Sequence, residues 1–474
     1  MVHSAGVEPT LMPSEGIVLS IRLRVCVLRC RGIIAQKCIL YNVVANICKL
    51  PQQNVKFCTN FGAVLLPKRG SRSIIVKVLL QKIALVACFT EKLVYMRAKT
   101  SKIWALAKGF VQKNTVMCIA FVAALVTTFF VPIDSQYLDY FDLKTLTCLF
   151  CVLAVVCALK NITFFYILAK KVVQLFKTAR ASVLALVYIT FVGSMLIAND
   201  MALLTFLPLG YFVLSKTNKK KYLAFTFIMQ NVAANLGGML TPFGNPQNLY
   251  LYTKFNIPTG EFMAIMAPTF VLAVALITLC CIVFVKPEPL CLEEDHVKLN
   301  KKRAVLYLVL FALAIAIVFR GIPYWIGLAV IPLVLIPVDA NALKSVDYGL
   351  LFTFVFFFIF AGNLARIEAV RNLFSALLDK STLLFSILSC QVISNVPSAI
   401  LLSQFTTNYA DLLVGVNIGG VGTLISSLAS LITFREYSKE NPKGVGKYVG
   451  MFTLVNFSFL IVLTAFALLV KSIC

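Results

Sequence analysis

From Val116 to the C-terminus, apolar runs long enough to cross ~30 Å of hydrocarbon follow one another, and they decide what this chain can fold into. They lie at 116–131, 145–159, 182–214, 223–253, 262–285, 304–319, 322–338, 347–362, 381–408, 412–434 and 448–470. A bilayer core has no water to bond a free backbone group, so segments like these cross it as helices. Composition agrees: 60% of residues are hydrophobic and 13% charged, where a soluble domain carries about a quarter charged. We expect an all-α integral membrane protein, multi-pass, surrounded by lipid in the cytoplasmic membrane.

The same residues exclude other classes. The two histidines, His3 and His296, lie outside the runs, which removes a His-based catalytic or metal site, and no acid pair faces the core. There is no phosphate-binding G-x-x-x-x-G-K-[ST] loop. No enzymatic activity and no cofactor are expected, and an intramembrane enzyme is a remote alternative. The net charge of +25 is concentrated in residues 1–113, with 18 Lys/Arg against 3 acids, and does not call for a nucleic-acid partner. Residues 1–95 lack the order of a signal peptide. They form either an amphipathic membrane-surface extension or a segment before a natural start at Met96; the basic stretch MRAKTSKIWALAKGFVQK favours the second. Cys148 and Cys151 form a C-x-x-C inside an apolar run, where thiols serve as small hydrophobes.

The run 182–214 is too long for one crossing, too short for two, and basic at both ends, so we read it as a re-entrant hairpin; 381–408 follows more weakly. With both hairpins non-crossing, the cytoplasmic stretches carry 19 Lys/Arg and the outer ones 7, which puts the N-terminus inside. Three features then recur in order. An amphipathic stretch opens at Asn161 and again at Asn363. A hairpin centres on Asn199-Asp200 and again on Ser394-Asn395. A glycine-rich break reads NLGGMLT from Asn235 and NIGGVGT from Asn417. In opposite topology these are inverted repeats, 96–285 and 304–474, joined by a cytoplasmic connector 286–303 that carries the Glu293-Glu294-Asp295-His296 run.

In NLGGMLTPFGNPQN, Pro242 and Pro246 among Gly237, Gly238 and Gly244 must break the helix, since an interior Pro costs ~3 kcal/mol and a Gly ~1. Freed carbonyls and the Thr241 hydroxyl suit a small cation; half-helix N-termini and the amides of Asn245 and Asn248 suit an anion. Asp200 is the one acid well inside an apolar run and is a candidate for ion or proton coupling, while Ser194 and Thr205 are weaker candidates. The second half offers Ser394, Asn395 and Pro397 at its tip, and Asn417, Gly420 and Thr423 at its break. It lacks the following prolines, and Gly415, Gly419 and Gly422 could equally serve helix packing. Arg320, Arg366 and Arg371 read as solvated anchors.

The runs SMLIANDMALLTFLPL, NLGGMLTPFGNPQNLYLY and SNVPSAILLSQF resemble the ion-transporter superfamily of divalent-anion/sodium symporters, citrate permeases, arsenite permeases and some sodium/proton antiporters, over about Met96 to the C-terminus. The resemblance implies two inverted repeats, each with a hairpin and a discontinuous helix, in a transport domain beside a scaffold that usually dimerises, with elevator-like movement. It also implies one cation site near Asn199, Thr241, Gly244 and Asn245, a second near Asn395, Gly420 and Thr423, and substrate between the tips. Carboxylate symporters carry Ser-Asn-Thr at both tips, whereas here the tips read Ala198-Asn199-Asp200 and Ser394-Asn395-Val396; the Asn-Asp tip looks more like arsenite permeases. We expect a sodium- or proton-coupled transporter of citrate or another carboxylate, working as a homodimer. The alternative is arsenite efflux or sodium/proton antiport with Asp200 as proton carrier.

Overall fold

The computed structural model describes residues 109–111, 114–290 and 299–473, which belong to one compact unit, Ala107–Cys474. The expectations for residues 1–95 and for the Glu293–His296 run fall outside the described residues. Regular structure among the described residues is helical, with one isolated β-bridge between Thr178 and Pro289. The first half runs α1 (Thr115–Thr128), α2 (Leu143–Asn161), α3 (Phe164–Gln174), α4 (Ala179–Ile197), α5 (Asn199–Lys216), α6 (Leu223–Gly237), α7 (Pro246–Lys254) and α8 (Thr259–Phe284). The second runs α9 (Lys301–Val318), α10 (Tyr324–Lys344), α11 (Tyr348–Arg366), α12 (Glu368–Ile393), α13 (Asn395–Leu402), α14 (Tyr409–Gly419), α15 (Leu428–Glu440) and α16 (Val445–Ile473). Eight helical segments among the described residues are long and apolar enough to cross a membrane. The chain is therefore an all-α, multi-pass membrane protein.

Local chemistry sets the boundaries. Side-chain oxygens of Asp142, Thr178, Asn300, Asp347, Asn408 and Ser427 accept backbone N–H bonds in the first turns of α2, α4, α9, α11, α14 and α15, satisfying donors that a helix start leaves free. Helix α12 kinks at Ser381 (φ −167°, ψ 98°), whose hydroxyl accepts the Leu384 N–H at 3.3 Å and so restarts the helix where the last long apolar run before Asn395 begins. Both amphipathic stretches start later than expected. Asn161 is the last residue of α2, and Asn363 is buried within α11, donating to the Thr127 hydroxyl at 3.2 Å. The amphipathic helices begin at Phe164 and Glu368.

Burial sorts the spans. The segment Lys220–Leu240, containing α6, is 83% buried, whereas Thr259–Phe284 (α8) and Tyr324–Lys344 (α10) are 22% buried. Helix α6 packs against α4, α5, α8 and α15 and forms the centre, while α8 and α10 turn apolar side chains such as Val271, Leu279, Leu328 and Leu333 outward. Such a surface is stable only in lipid or against another apolar partner. Beyond α8, Glu288 binds Lys219 and Lys221 and accepts from the Tyr222 hydroxyl. These contacts hold its carboxyl down to about 2, well below the usual carboxylate range. The backbone beside it, Glu288 O to Ala179 N at 2.7 Å and Lys177 O to Leu290 N at 2.8 Å, fastens the foot of α4.

Arg320 is not a free surface anchor. It occupies a left-handed conformation (φ 63°) in the α9–α10 turn, its Nη2 donates to the Tyr252 carbonyl at 2.7 Å, and its guanidinium lies 4.1 Å from the Tyr252 ring centroid. It thereby caps the last turn of α7, where helix carbonyls lack internal partners. Arg366 is also paired, to Asp134 at 2.6 Å. Arg371 is exposed.

Candidate functional site

Two helical hairpins and two interrupted helices meet around the amides singled out in the sequence. In the first half, α4 turns into α5 at Ala198 (φ 66°, ψ 151°), and α6 gives way to α7 across 238–245. In the second, α12 turns into α13 at Ser394 (φ 74°, ψ 160°), and α14 gives way to α15 across 420–427. Pro246 stands at the first turn of α7, where its missing N–H costs nothing. The second break has no proline; Gly422 supplies φ +141°, which L side chains rarely adopt, and Ser427 caps the helix that follows. Gly415 and Gly419 do serve packing: a Cβ on either would strike Ser386 or Cys390 of α12.

The two halves match atom for atom where each hairpin meets its break. The Asn199 N–H donates to the Gly244 carbonyl at 3.2 Å, and the Asn395 N–H donates to the Ser426 carbonyl at 2.9 Å. Thr241 Oγ1 donates to the Met195 carbonyl at 2.8 Å, and Thr423 Oγ1 to the Gln391 carbonyl at 3.1 Å, each acceptor lying just before a tip. Asn199 Oδ1 accepts the Asp200 N–H and Asn395 Oδ1 accepts the Val396 N–H, both at 2.9 Å. A backbone N–H can only donate, so in both tips the carboxamide oxygen is held and the NH2 group is left to donate elsewhere, in the first tip with one contact to Asn235 Oδ1 at 3.4 Å.

Several interior amides are spent on the breaks. Asn248 Nδ2 donates to the carbonyls of Gly238 (3.1 Å) and Met239 (3.3 Å), and Asn245 Nδ2 to the Asn235 carbonyl (3.1 Å) and Asn417 Oδ1 (3.1 Å). These residues supply what an unwound helix in hydrocarbon lacks. Pro242 sits in the turn between Thr241 and Asn245, and Pro397 lies buried in the first turn of α13. Ser194 and Thr205 bond carbonyls of their own helices, Phe191 and Met201. Asp200 stands in the first turn of α5, near the helix's positive end, and its Oδ1 is buried without a hydrogen-bond partner. Cys148 and Cys151 are buried in the apolar core of α2.

Several contributors were not singled out from sequence. Asn235 Oδ1 accepts from Asn199 Nδ2 at 3.4 Å, and Asn231 joins Asn235 to Ser430 and Asn456. Gln391 accepts the Thr423 N–H at 2.9 Å and donates to the Gly419 carbonyl at 2.9 Å, the role that Asn248 plays in the other half. The available signal was the spacing of Asn231 and Asn235, one helical turn apart on one face and leading into a break. Two cavities flank the assembly. One of about 920 Å³ is lined by Asn114, Lys160, Met201, Lys344 and Asp347; another of about 310 Å³ by Tyr140, Lys254, Gly362, Arg366 and Gln404.

The break after Gly237 is fixed more by its glycines and amides than by its prolines, because the carbonyls of Gly238, Met239 and Thr241 are already bonded by Asn248. In the transporter expected from the sequence, Pro242→Ala with Pro246→Ala should therefore lower transport by about threefold to tenfold without abolishing it, a cost of ~1 kcal/mol. Flux into proteoliposomes measures this; unchanged kinetics would show that the prolines do not shape the break.

Known proteins match this chain over most of the described region. The citrate transporter family matches residues 102–413. An uncharacterized transporter of Methanocaldococcus jannaschii is 34% identical over 331 residues, covering 68% of this chain and 89% of the relative. The inner membrane protein YbiR of Escherichia coli is 30% identical over 283 residues, covering 57% of this chain and 74% of the relative.

Proposed function

The chain belongs to the citrate transporter family, and from that premise we propose that it carries an anionic solute, citrate or another di- or tricarboxylate, across the cytoplasmic membrane, coupled to sodium or protons. Family and spans make it a multi-pass membrane transporter, which speaks against enzymatic chemistry. The observation that carries the anion assignment is the pair of tips. Asn199 and Asn395 each keep the carboxamide oxygen on the next backbone N–H and leave the NH2 group as a donor, at the N-termini of α5 and α13. Amide donors at helix N-termini suit a carboxylate.

The matching bonds of the two halves support inverted repeats, 96–285 and 304–474, with re-entrant hairpins; an elevator movement between a transport part and a dimerising scaffold belongs to the same proposal. On the topology favoured by the loop charges, the larger cavity, with Lys160 and Lys344, opens to the cytoplasm and the smaller, with Lys254 and Arg366, to the outside. Break carbonyls with the hydroxyls of Thr241 and Thr423 would hold transported sodium. Asp200, buried and unpartnered on one oxygen, favours a bound cation or proton beside the anion, and it is also what an arsenite efflux or sodium/proton antiport reading would use.

Thermal unfolding of the purified full chain with sodium, citrate, succinate, sulfate, phosphate and arsenite separates these readings. A ligand at about 100 times its Kd adds ~2.7 kcal/mol to the folded state. The expected result is a shift that needs both sodium, or low pH, and a carboxylate. A shift with arsenite alone, or with sodium alone in a pH-dependent manner, would overturn carboxylate symport in favour of extrusion or exchange.

A further inference from the structure

Asn235 and Asn417 are equivalent in sequence, each opening the same Asn-x-Gly-Gly motif at the end of a half-helix, yet their surroundings differ. Asn417 is a cross-link between the halves. Its Oδ1 accepts from Asn245 at 3.1 Å and from Gln247 at 3.5 Å, and its Nδ2 donates to Asn248 Oδ1 at 2.6 Å and to the Leu413 carbonyl at 2.8 Å. Both of its polar atoms are engaged by protein, and it is 1% exposed. Asn235 instead faces the first tip. Its Oδ1 accepts from Asn199 Nδ2 at 3.4 Å, and a methyl group added at Gly420 would meet that same Oδ1 at 3.6 Å and Asn395 Nδ2 at 3.0 Å. That carbonyl oxygen therefore holds the NH2 group of the first tip, and Gly420, from the second half of the chain, lies next to both it and the NH2 group of the second tip.

We propose that Asn235 is the positioning residue that aims the first tip amide, that of Asn199, at the transported anion, while its sequence equivalent Asn417 holds the two interrupted helices together and takes no part in anion selection. The Asn199 NH2 group has two hydrogens; the bond to Asn235 takes one and so fixes the direction of the other, which is left for an arriving carboxylate. On Asn235 the Nδ2 group donates to the Asn231 carbonyl at 3.1 Å, which fixes the direction of Oδ1. The Oδ1 atom is thus oriented before any ligand binds. The assignment rests on the anion reading above and adds to it which of two equivalent asparagines sets affinity.

Parallel variants test it, Asn235→Ser and Asn417→Ser, each read for citrate affinity by ligand-dependent thermal unfolding in sodium and for intrinsic stability without ligand. Losing the aim of a charge-assisted bond should weaken citrate binding by about tenfold in Asn235→Ser, with its ligand-free midpoint within roughly 2 °C of wild type. Asn417→Ser should lower the ligand-free midpoint by roughly 5 °C and leave the affinity of the folded protein within about threefold. Asn235→Asp keeps the acceptor oxygen but adds negative charge; it should weaken citrate binding further than Asn235→Ser, which a purely structural role would not produce. The assignment is overturned if Asn235→Ser binds citrate as wild type does, or if both serine variants lose affinity equally. A wild-type chain that responds to no anion would instead overturn the anion reading and this assignment with it.

Discussion

Asp200→Asn should reduce gradient-driven uptake by about 100-fold or more while leaving a protein that folds and purifies as wild type does. A carboxylate inside the membrane costs ~2.5–3.5 kcal/mol, a sum recovered only through a cation, a proton or a partner. Among the described residues Asp200 forms no ion pair, and its Oδ1 has no hydrogen-bond partner. Asparagine keeps the shape and removes the charge, so packing in the first turn of α5 survives and coupling does not. Uptake into proteoliposomes with an imposed sodium or proton gradient is the measurement, with counterflow in the absence of a gradient as its companion. Wild-type gradient-driven flux from the variant would take Asp200 out of the mechanism.

The second large effect belongs to the first break. Gly244→Ala should remove more than ~90% of transport and destabilise the protein by ~1–3 kcal/mol, the usual cost of forcing extra volume into a packed site. A Cβ at Gly244 would collide with the Gly238 carbonyl and the Thr241 hydroxyl, neither of which can withdraw without unmaking the turn. The Gly244 carbonyl also accepts the Asn199 N–H, so a shift here misplaces the first tip. Gly446→Ala is the control, since a Cβ there meets nothing within 4 Å, and it should match wild type. Flux and unfolding midpoint measured on both variants decide the matter; a fully active Gly244→Ala would mean that transport does not depend on the geometry of this turn.

How much of this was legible in the chain follows from the range of each interaction. Helix content is local, and every apolar run after Val116 is helical; the pairs α4–α5, α6–α7 and α14–α15 divide single apolar runs where a tip or break had been read, and 381–408 divides in the same way. The first break was readable because Pro242, Pro246 and three glycines leave a helix no choice. The second was less so, because the positive φ at Gly422 goes with Gln391, distant in sequence, which packs against it and accepts the Thr423 N–H. The same limit hid Asn235. An amide in an apolar helix reads like any backbone-bonding side chain until its distant partners, Asn199 and the neighbourhood of Asn395, are in place. Arg320 was misjudged for a related reason: a charge in a short turn looks solvated, and only folding brings the Tyr252 carbonyl under it.

The tips themselves bear on how tightly such a machine can be sealed. Ala198 and Ser394 hold a backbone conformation that glycine adopts freely and that costs other residues about 1–3 kcal/mol. Glycine would relieve the strain, but it would also let each tip wander through many neighbouring shapes. A side chain at the same position leaves few alternatives besides the one pinned to Gly244 or Ser426, so each tip is either fully docked or clearly displaced. For a transporter with the proposed ion coupling, that intolerance of half-open states would be a safeguard against uncoupled leak, obtained at some expense in stability.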